Sequence, residues 1–387
     1  MTLAHPLVAV DARWVGEELS GIGRYTVELL REFGSLESPY RFLVMTVDEA
    51  GKERVADWAG IAGKGRFSWA AVGKGPFHPA GQWAAARLLR REKAAVYHST
   101  NFMVPLPAFP RGGGGETRCV CNIHDLIPLV HPEFTPKALK TRFGWVYRGL
   151  MGEIARRVDA VVTGSESAKA DIVARLGVGE EKVAVAVDGV GEGYAPAEGR
   201  KGPSAGRKTV LYVGRQDPYK NLKGLVEAFA LLAGRGLDAR LRIAGPPDER
   251  YPEARARAAE LGLGDRVEWA GYLGEDELRA AYREADALGF LSRYEGFGLP
   301  VAEAMASGLP VVCSNAASLP EVAGDAALLV APEDTKGAAD ALERVLTDAG
   351  LWRRMRAAGL EQSKRFRWKT AATAVLQLYD AMLCEPG

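Results

Sequence analysis

Short, continuously apolar runs recur along the chain at residues 7–10, 42–47, 94–97, 117–123 and 160–163. Between most of them the apolar residues return every three or four positions instead. The runs read as strands buried on both faces and the intervening stretches as amphipathic helices. From residue 188 the texture changes to Gly, Pro and charge, as in Asp188-Gly-Val-Gly-Glu-Gly-Tyr-Ala-Pro196 and 199–206. The alternation then begins afresh at 209–213 and continues through 240–244, 266–270, 287–291 and 309–313. Strand and helix alternating in this way predict open parallel sheets covered by helices, with ligands outside the carboxyl ends of the strands. The pattern gives an α/β chain of two Rossmann-like domains, residues 1–187 and 208–369, joined by a linker at 188–207. Substrates are expected in the cleft between the domains.

Length agrees, since 387 residues exceed one typical core. Lys+Arg 50 against Asp+Glu 49 leaves a net charge of +1, so the balance gives no support to a nucleic-acid partner. Four cysteines are too few for a disulfide framework. Cys119 and Cys121 would share one face of a strand, a poor arrangement for binding a metal. They read as reduced thiols of a cytoplasmic protein. No apolar stretch reaches the ~20 residues a spanning helix needs, and residues 7–10 follow without a signal peptide, so any membrane contact would be peripheral.

The chemistry concentrates at strand ends. After the run 287–291 comes Ser292-Arg-Tyr-Glu-Gly-Phe-Gly-Leu-Pro-Val-Ala-Glu303, in which Pro300 suits a first helical turn and Gly308 a helix end. Loop amides at Gly296, Phe297, Gly298 and Leu299 would face a ligand there. Glu303, leaning back along its helix, can reach the mouth that Glu295 lines. Taken alone, Glu303 reads equally well as a solvated helix residue. Gly214-Arg-Gln-Asp-Pro-Tyr-Lys220 follows another strand and sets Arg215 and Lys220 where a diphosphate could meet both cations, or where two solvated charges flank a turn. In the first half Asp11, His98, His124 and Asp125 stand at strand ends, and Gly21 and Gly23 form a glycine loop before a helix. Strand-end histidines can be structural or functional.

Glu-x7-Glu within Tyr-Glu-Gly-Phe-Gly-Leu-Pro, followed by Glu-Ala-Met-Ala-x-Gly-x-Pro-Val-Val, resembles the signature of the retaining GT-B glycosyltransferases of family 4. The resemblance implies that Glu295 contacts donor-sugar hydroxyls and that Glu303 holds the ribose. It gives Arg215 and Lys220 the nucleotide diphosphate, and puts Gly21, Gly23 and Gly214 near the donor. His-Asp-Leu-Ile-Pro-Leu at 124–129 resembles a branch rich in bacterial O-antigen mannosyltransferases. That places His124 beside the donor hexose, with Asp125 as its orienting partner; Asp11 and His98 are further candidates for orienting groups by their places at strand ends. The implied reaction moves a hexose, mannose from GDP-mannose, onto a glycan or polyprenyl-linked acceptor with retention. Transfer from UDP-glucose or UDP-GlcNAc, a sugar phosphorylase, and a silent partner-binding GT-B subunit are the alternatives. No Asp-x-Asp or spaced His/Cys set occurs, so neither metal nor cofactor is expected beyond the nucleotide-sugar substrate.

Two segments stay outside this reading. The basic, aromatic stretch 136–157 reads either as a helix with its aromatics in the core or as a surface for an anionic membrane. The terminal helix, 370–383, is expected by resemblance to cross back onto the first domain.

Overall fold

The computed structural model describes residues 5–384, and these divide into two compact units. Unit 1 contains the described residues up to Val130, Phe143–Gly189 and those from Trp368 on; unit 2 contains His131–Arg142 and Val190–Arg367.

Unit 1 is built on a parallel sheet of β1 (Leu7–Asp11), β2 (Arg41–Thr46), β3 (Phe67–Ala71), β4 (Val96–Ser99), β5 (Arg118–Asn122), β6 (Ala160–Thr163) and β7 (Val183–Val185), ordered β3-β2-β1-β4-β5-β6-β7. Alternate residues of each strand serve opposite faces, which explains the uninterrupted apolar runs. Val8 and Val10 pack on one side with Leu29, Leu30 and Phe33, whereas Ala9 faces the other with Leu89, Tyr97 and Met151. Cys119 and Cys121 lie buried in this second layer, and Val120 in the first.

The helix Trp368–Cys384 completes the first layer through Trp368, Val375 and Tyr379. Gly189 makes its approach possible, because a Cβ there would lie 2.2 Å from the Trp368 nitrogen. Each of the large apolar side chains buried in this layer contributes roughly 1.5–3 kcal/mol.

Unit 2 carries β8 (Lys208–Val213), β9 (Ala239–Ala244), β10 (Val267–Gly271), β11 (Ala287–Phe290), β12 (Val311–Ser314) and β13 (Ala327–Val330), all parallel, ordered β10-β9-β8-β11-β12-β13. The helix Leu222–Gly234 lies close on the sheet: a Cβ at Gly289 would fall 2.7 Å from Leu225 Cδ1. Part of the stretch expected as a linker is fixed here. Arg200 pairs with the buried Asp286 at 2.6 Å, and the same carboxylate accepts the amides of Ser204 and Thr209. A buried carboxylate needs such partners, so the polar composition of 199–206 reflects this anchorage.

In both sheets the order reverses between two adjacent strands, β1/β4 in unit 1 and β8/β11 in unit 2. The loops leaving these strands diverge and open a crevice at the carboxyl edge.

Candidate functional site

In unit 2 the loops after β8 and β11 are laced together. The Tyr219 carbonyl accepts from the Arg293 amide at 2.7 Å and from Ser292 Oγ at 3.2 Å. Ser318 Oγ, fully buried, lies 3.0 Å from the Glu295 carbonyl and 2.6 Å from that of Phe297, and Ser314 Oγ donates to the Ser292 carbonyl. With their carbonyls tied inward, the loop residues keep a fixed path. Gly298, at φ +114°, turns the chain into the helix Leu299–Ala306, with Pro300 in its first turn.

Within this frame Lys220 Nζ donates to both oxygens of Glu295, at 2.8 and 2.9 Å. Burial is the largest single influence and pushes the lysine pKa down, but the charge and hydrogen bonds of Glu295, with Tyr212 and Asp217, together outweigh it and the net shift is upward, so the ammonium is retained. Arg215 behaves differently: its side chain is 60% exposed and rests on Asp217, Nε to Oδ2 2.9 Å. Gly214 is at φ +149° and bonds the end of β9 through Ala244. One turn into the helix, Glu303 is buried and accepts from the Tyr282 hydroxyl at 2.8 Å, so it is not the solvated helix residue that its sequence also allowed.

Unit 1 distributes its expected site residues less evenly. Gly21 and Gly23 are not a loop: they form the first turn of the helix Gly21–Phe33, with the Ser20 hydroxyl accepting from the Gly23 amide at 3.1 Å. Their Ser N-cap starts the helix earlier than a glycine loop would. His124, half-buried, has Nε2 3.0 Å from the Thr100 carbonyl and its ring edge-on to Tyr25 at 5.0 Å. Asp125 accepts from the Ile127 amide at 3.2 Å, a local turn, so Thr100 and Tyr25 are the groups that orient His124. Asp11 and His98 are fully buried. Asp11 is held by Arg13 at 2.6 Å and by the Tyr97 hydroxyl at 2.6 Å. His98 bridges Tyr379 and Asn122, and burial pushes its pKa down to about 4. Both are pieces of unit 1's framework.

The sequence reading missed Asp188, Ser314, Ser318 and Tyr282. Asp188 is buried and its pKa is pushed up to about 6 by that burial, with His124 pulling the other way. A serine or tyrosine has no spacing signature that marks it as a clamp. Among the described residues no group of three His, Cys, Asp or Glu is placed to hold a metal ion.

The arrangement offers a lysine for an anion, carboxylates for hydroxyls and a helix start between them. Compared with solved structures, the chain is similar to sucrose-phosphate synthase from Thermosynechococcus elongatus, with a TM-score of 0.77 at 20% identity over 98% of this chain and 99% of that one. The fold is that of the GT-B glycosyltransferases. Residues 19–191 match the model described as Glycosyltransferase Family 4 and residues 197–362 the one described as Glycosyl transferases group 1. The chain belongs to this glycosyltransferase family and is a transferase.

Among named relatives, O-antigen chain mannosyltransferase B of Escherichia coli is 29% identical over 321 residues, 79% of this chain and 78% of that protein. Serotype-specific mannosyltransferase WbdA of Escherichia coli is 30% identical over 303 residues, 74% of this chain but 36% of the longer relative.

Proposed function

We propose that the protein transfers mannose from GDP-mannose to a glycan or lipid-linked saccharide, with retention and without a divalent metal. The Lys220–Glu295 pair at the β8/β11 reversal carries this reading: a cation for diphosphate and a carboxylate for sugar hydroxyls stand in direct contact. The mannosyltransferase relatives support the choice of sugar.

In this reading the C1–O bond to the diphosphate breaks and the negative charge that develops on the leaving group is met by Lys220, Arg215 and the amides around Gly298. The acceptor oxygen bonds to C1 of an oxocarbenium-like sugar on the same face. Its proton passes to the departing diphosphate. Glu295 takes the donor-sugar hydroxyls and Glu303 the ribose. In unit 1, His124 is assigned to the hexose and the helix start at Gly21 and Gly23 to the donor.

We assign the exposed aromatics Phe143, Trp145 and Val146 beside them, with Arg148, to a peripheral contact with anionic lipid at a cytoplasmic membrane face. Trp145 is 81% exposed, which supports a surface role over a core one for this part of the helix. No helix among the described residues is long and apolar enough to cross a membrane.

Calorimetric titration with GDP and UDP in the presence of chelator, repeated on Glu303→Ala, tests the proposal. Selective GDP binding that weakens in the variant is expected. A preference for UDP would replace mannose by a glucose-type sugar, and binding of neither would remove the donor assignment.

A further inference from the structure

Glu303 is a buried carboxylate on the second turn of a short helix, and such a group has to be held in one orientation to recognise a pair of hydroxyls. Tyr282 supplies that hold. It lies on the preceding helix, Glu275–Glu284, with no exposed surface, and its hydroxyl reaches Glu303 Oε2 at 2.8 Å.

The tyrosine ring is itself fixed. It stands edge-on to Tyr194 at 5.7 Å, and the Arg279 guanidinium covers Tyr194 at 5.7 Å. Behind them the chain turns at Gly193, φ +98°, where a Cβ would meet the Arg279 guanidinium at 3.0 Å. A glycine therefore lets this arginine lie over Tyr194, the ring that the fully buried Tyr282 meets edge-on. The hydroxyl donates from a rigid position, and one well-aligned donor fixes the plane of a carboxylate.

We propose that Tyr282 is a positioning residue for ribose recognition, and that through Glu303 it makes the site selective for ribonucleoside diphosphate sugars over their deoxyribose counterparts. This rests on the assignment of Glu303 to the ribose. Tyr282 touches no substrate: its hydrogen bond sets the direction in which Glu303 accepts. With the carboxylate aligned, the ribose hydroxyls gain charge-assisted bonds. Without the Tyr282 donor its alignment loosens, and those bonds weaken while contacts to base and diphosphate persist.

The test compares GDP with 2′,3′-dideoxy-GDP by calorimetry on wild type, Tyr282→Phe and Glu303→Ala, or UDP and its dideoxy form if the wild type prefers uridine. The phenylalanine keeps the ring and removes only the hydroxyl. The quantity read is the ratio of the two dissociation constants on one folded preparation, so a general loss of stability cancels.

The wild type should prefer the ribo form by tenfold or more, on the order of one or two charge-assisted hydrogen bonds. Tyr282→Phe should lose most of that ratio while its affinity for the dideoxy form stays near that of the wild type. A ratio unchanged in Tyr282→Phe but lost in Glu303→Ala overturns the role of Tyr282 and leaves Glu303 on the ribose. A ratio unchanged in Glu303→Ala overturns the ribose assignment, and the inference with it.

Discussion

Lys220 and Glu295 neutralise one another: the ammonium lies 2.8 and 2.9 Å from the two carboxylate oxygens, with side chains only 12% and 10% exposed. A diphosphate that takes Lys220 therefore leaves Glu295 unpaired beside a new anion, unless sugar hydroxyls arrive with it. The pair favours the whole donor over the bare nucleotide.

Glu295→Gln should accordingly bind GDP several-fold more tightly than wild type, since a repelling charge near the diphosphate is gone. Transfer should fall by about 10²-fold or more as the charged carboxylate that accepts from the sugar hydroxyls becomes a neutral amide with one accepting oxygen. Parallel calorimetry and product assays read both effects. Weaker GDP binding in the variant would contradict the coupling.

The two cations are unequal. Lys220→Ala removes a buried charge from the centre of the site and should lower kcat/KM by about 10²–10³-fold. Arg215→Ala removes an exposed group already tethered to Asp217, and about tenfold is expected. The lysine variant also loses thermal stability because Glu295 is left without its counter-charge, so turnover should be measured well below the melting temperature. Equal, small effects in both would rule out Lys220 as the principal diphosphate group.

Unit 1 should show a pH signature from His98. Burial holds its imidazole at about 4 against an ordinary 6.5, so between these values the unfolded chain binds the proton and the native ring does not. Stability from this group is complete above about 6.5 and is lost as pH falls through that window, by roughly 1.4 kcal/mol per unit at most. Asp188, pushed up to about 6, acts oppositely, losing stability as pH rises from 3.8. Urea titrations of wild type and His98→Gln isolate the first effect: the gap between them should narrow from pH 7 to 4. A constant gap would mean the ring titrates normally.

Gly245 follows β9 at φ +152°, and a Cβ there would lie 1.9 Å from the Gly214 carbonyl oxygen. Gly245→Ala should cost about 2 kcal/mol or more, because backbone has to move. Gly271→Ala meets no atom within 4 Å, and its φ of +72° alone should cost about 1 kcal/mol. Denaturant midpoints of the two variants in the reverse order would show that the strand ends are looser than they stand here.

Co-sedimentation with anionic vesicles at low salt tests the aromatic surface. Wild type should pellet with the lipid and Trp145→Ala markedly less, the difference shrinking as salt rises. Wild type remaining in the supernatant would remove the membrane assignment.

What the sequence shows of this molecule follows burial. Strands flanked on both sides, such as β1, β2, β8 and β11, carry unbroken apolar cores and stand out in the sequence. The three absent from the sequence reading, β3, β7 and β13, are all sheet edges: β3 is interrupted by Ser68, β7 is the short run Val183–Val185, and the apolar β13 leaves Leu329 exposed. Charged site residues at strand ends were legible because their chemistry is unusual for such positions. Ser318 and Tyr282 were not, because each acts by the direction of one hydroxyl, and that direction is set by packing. His98 and Asp11 show the converse: polar groups at strand ends whose partners, Tyr379 and Arg13, absorb them into the framework.

The helix Trp368–Cys384 belongs to unit 1 but is encoded after all of unit 2. During translation the strands of unit 1 emerge early, yet Phe33 lacks its Tyr379 neighbour and Tyr40 its Asp380 acceptor until all of unit 2 has left the ribosome. Unit 2 has its complete sequence first. The two units thus mature in the reverse of their order of appearance, and the nascent first half waits with one apolar face of its sheet incompletely covered.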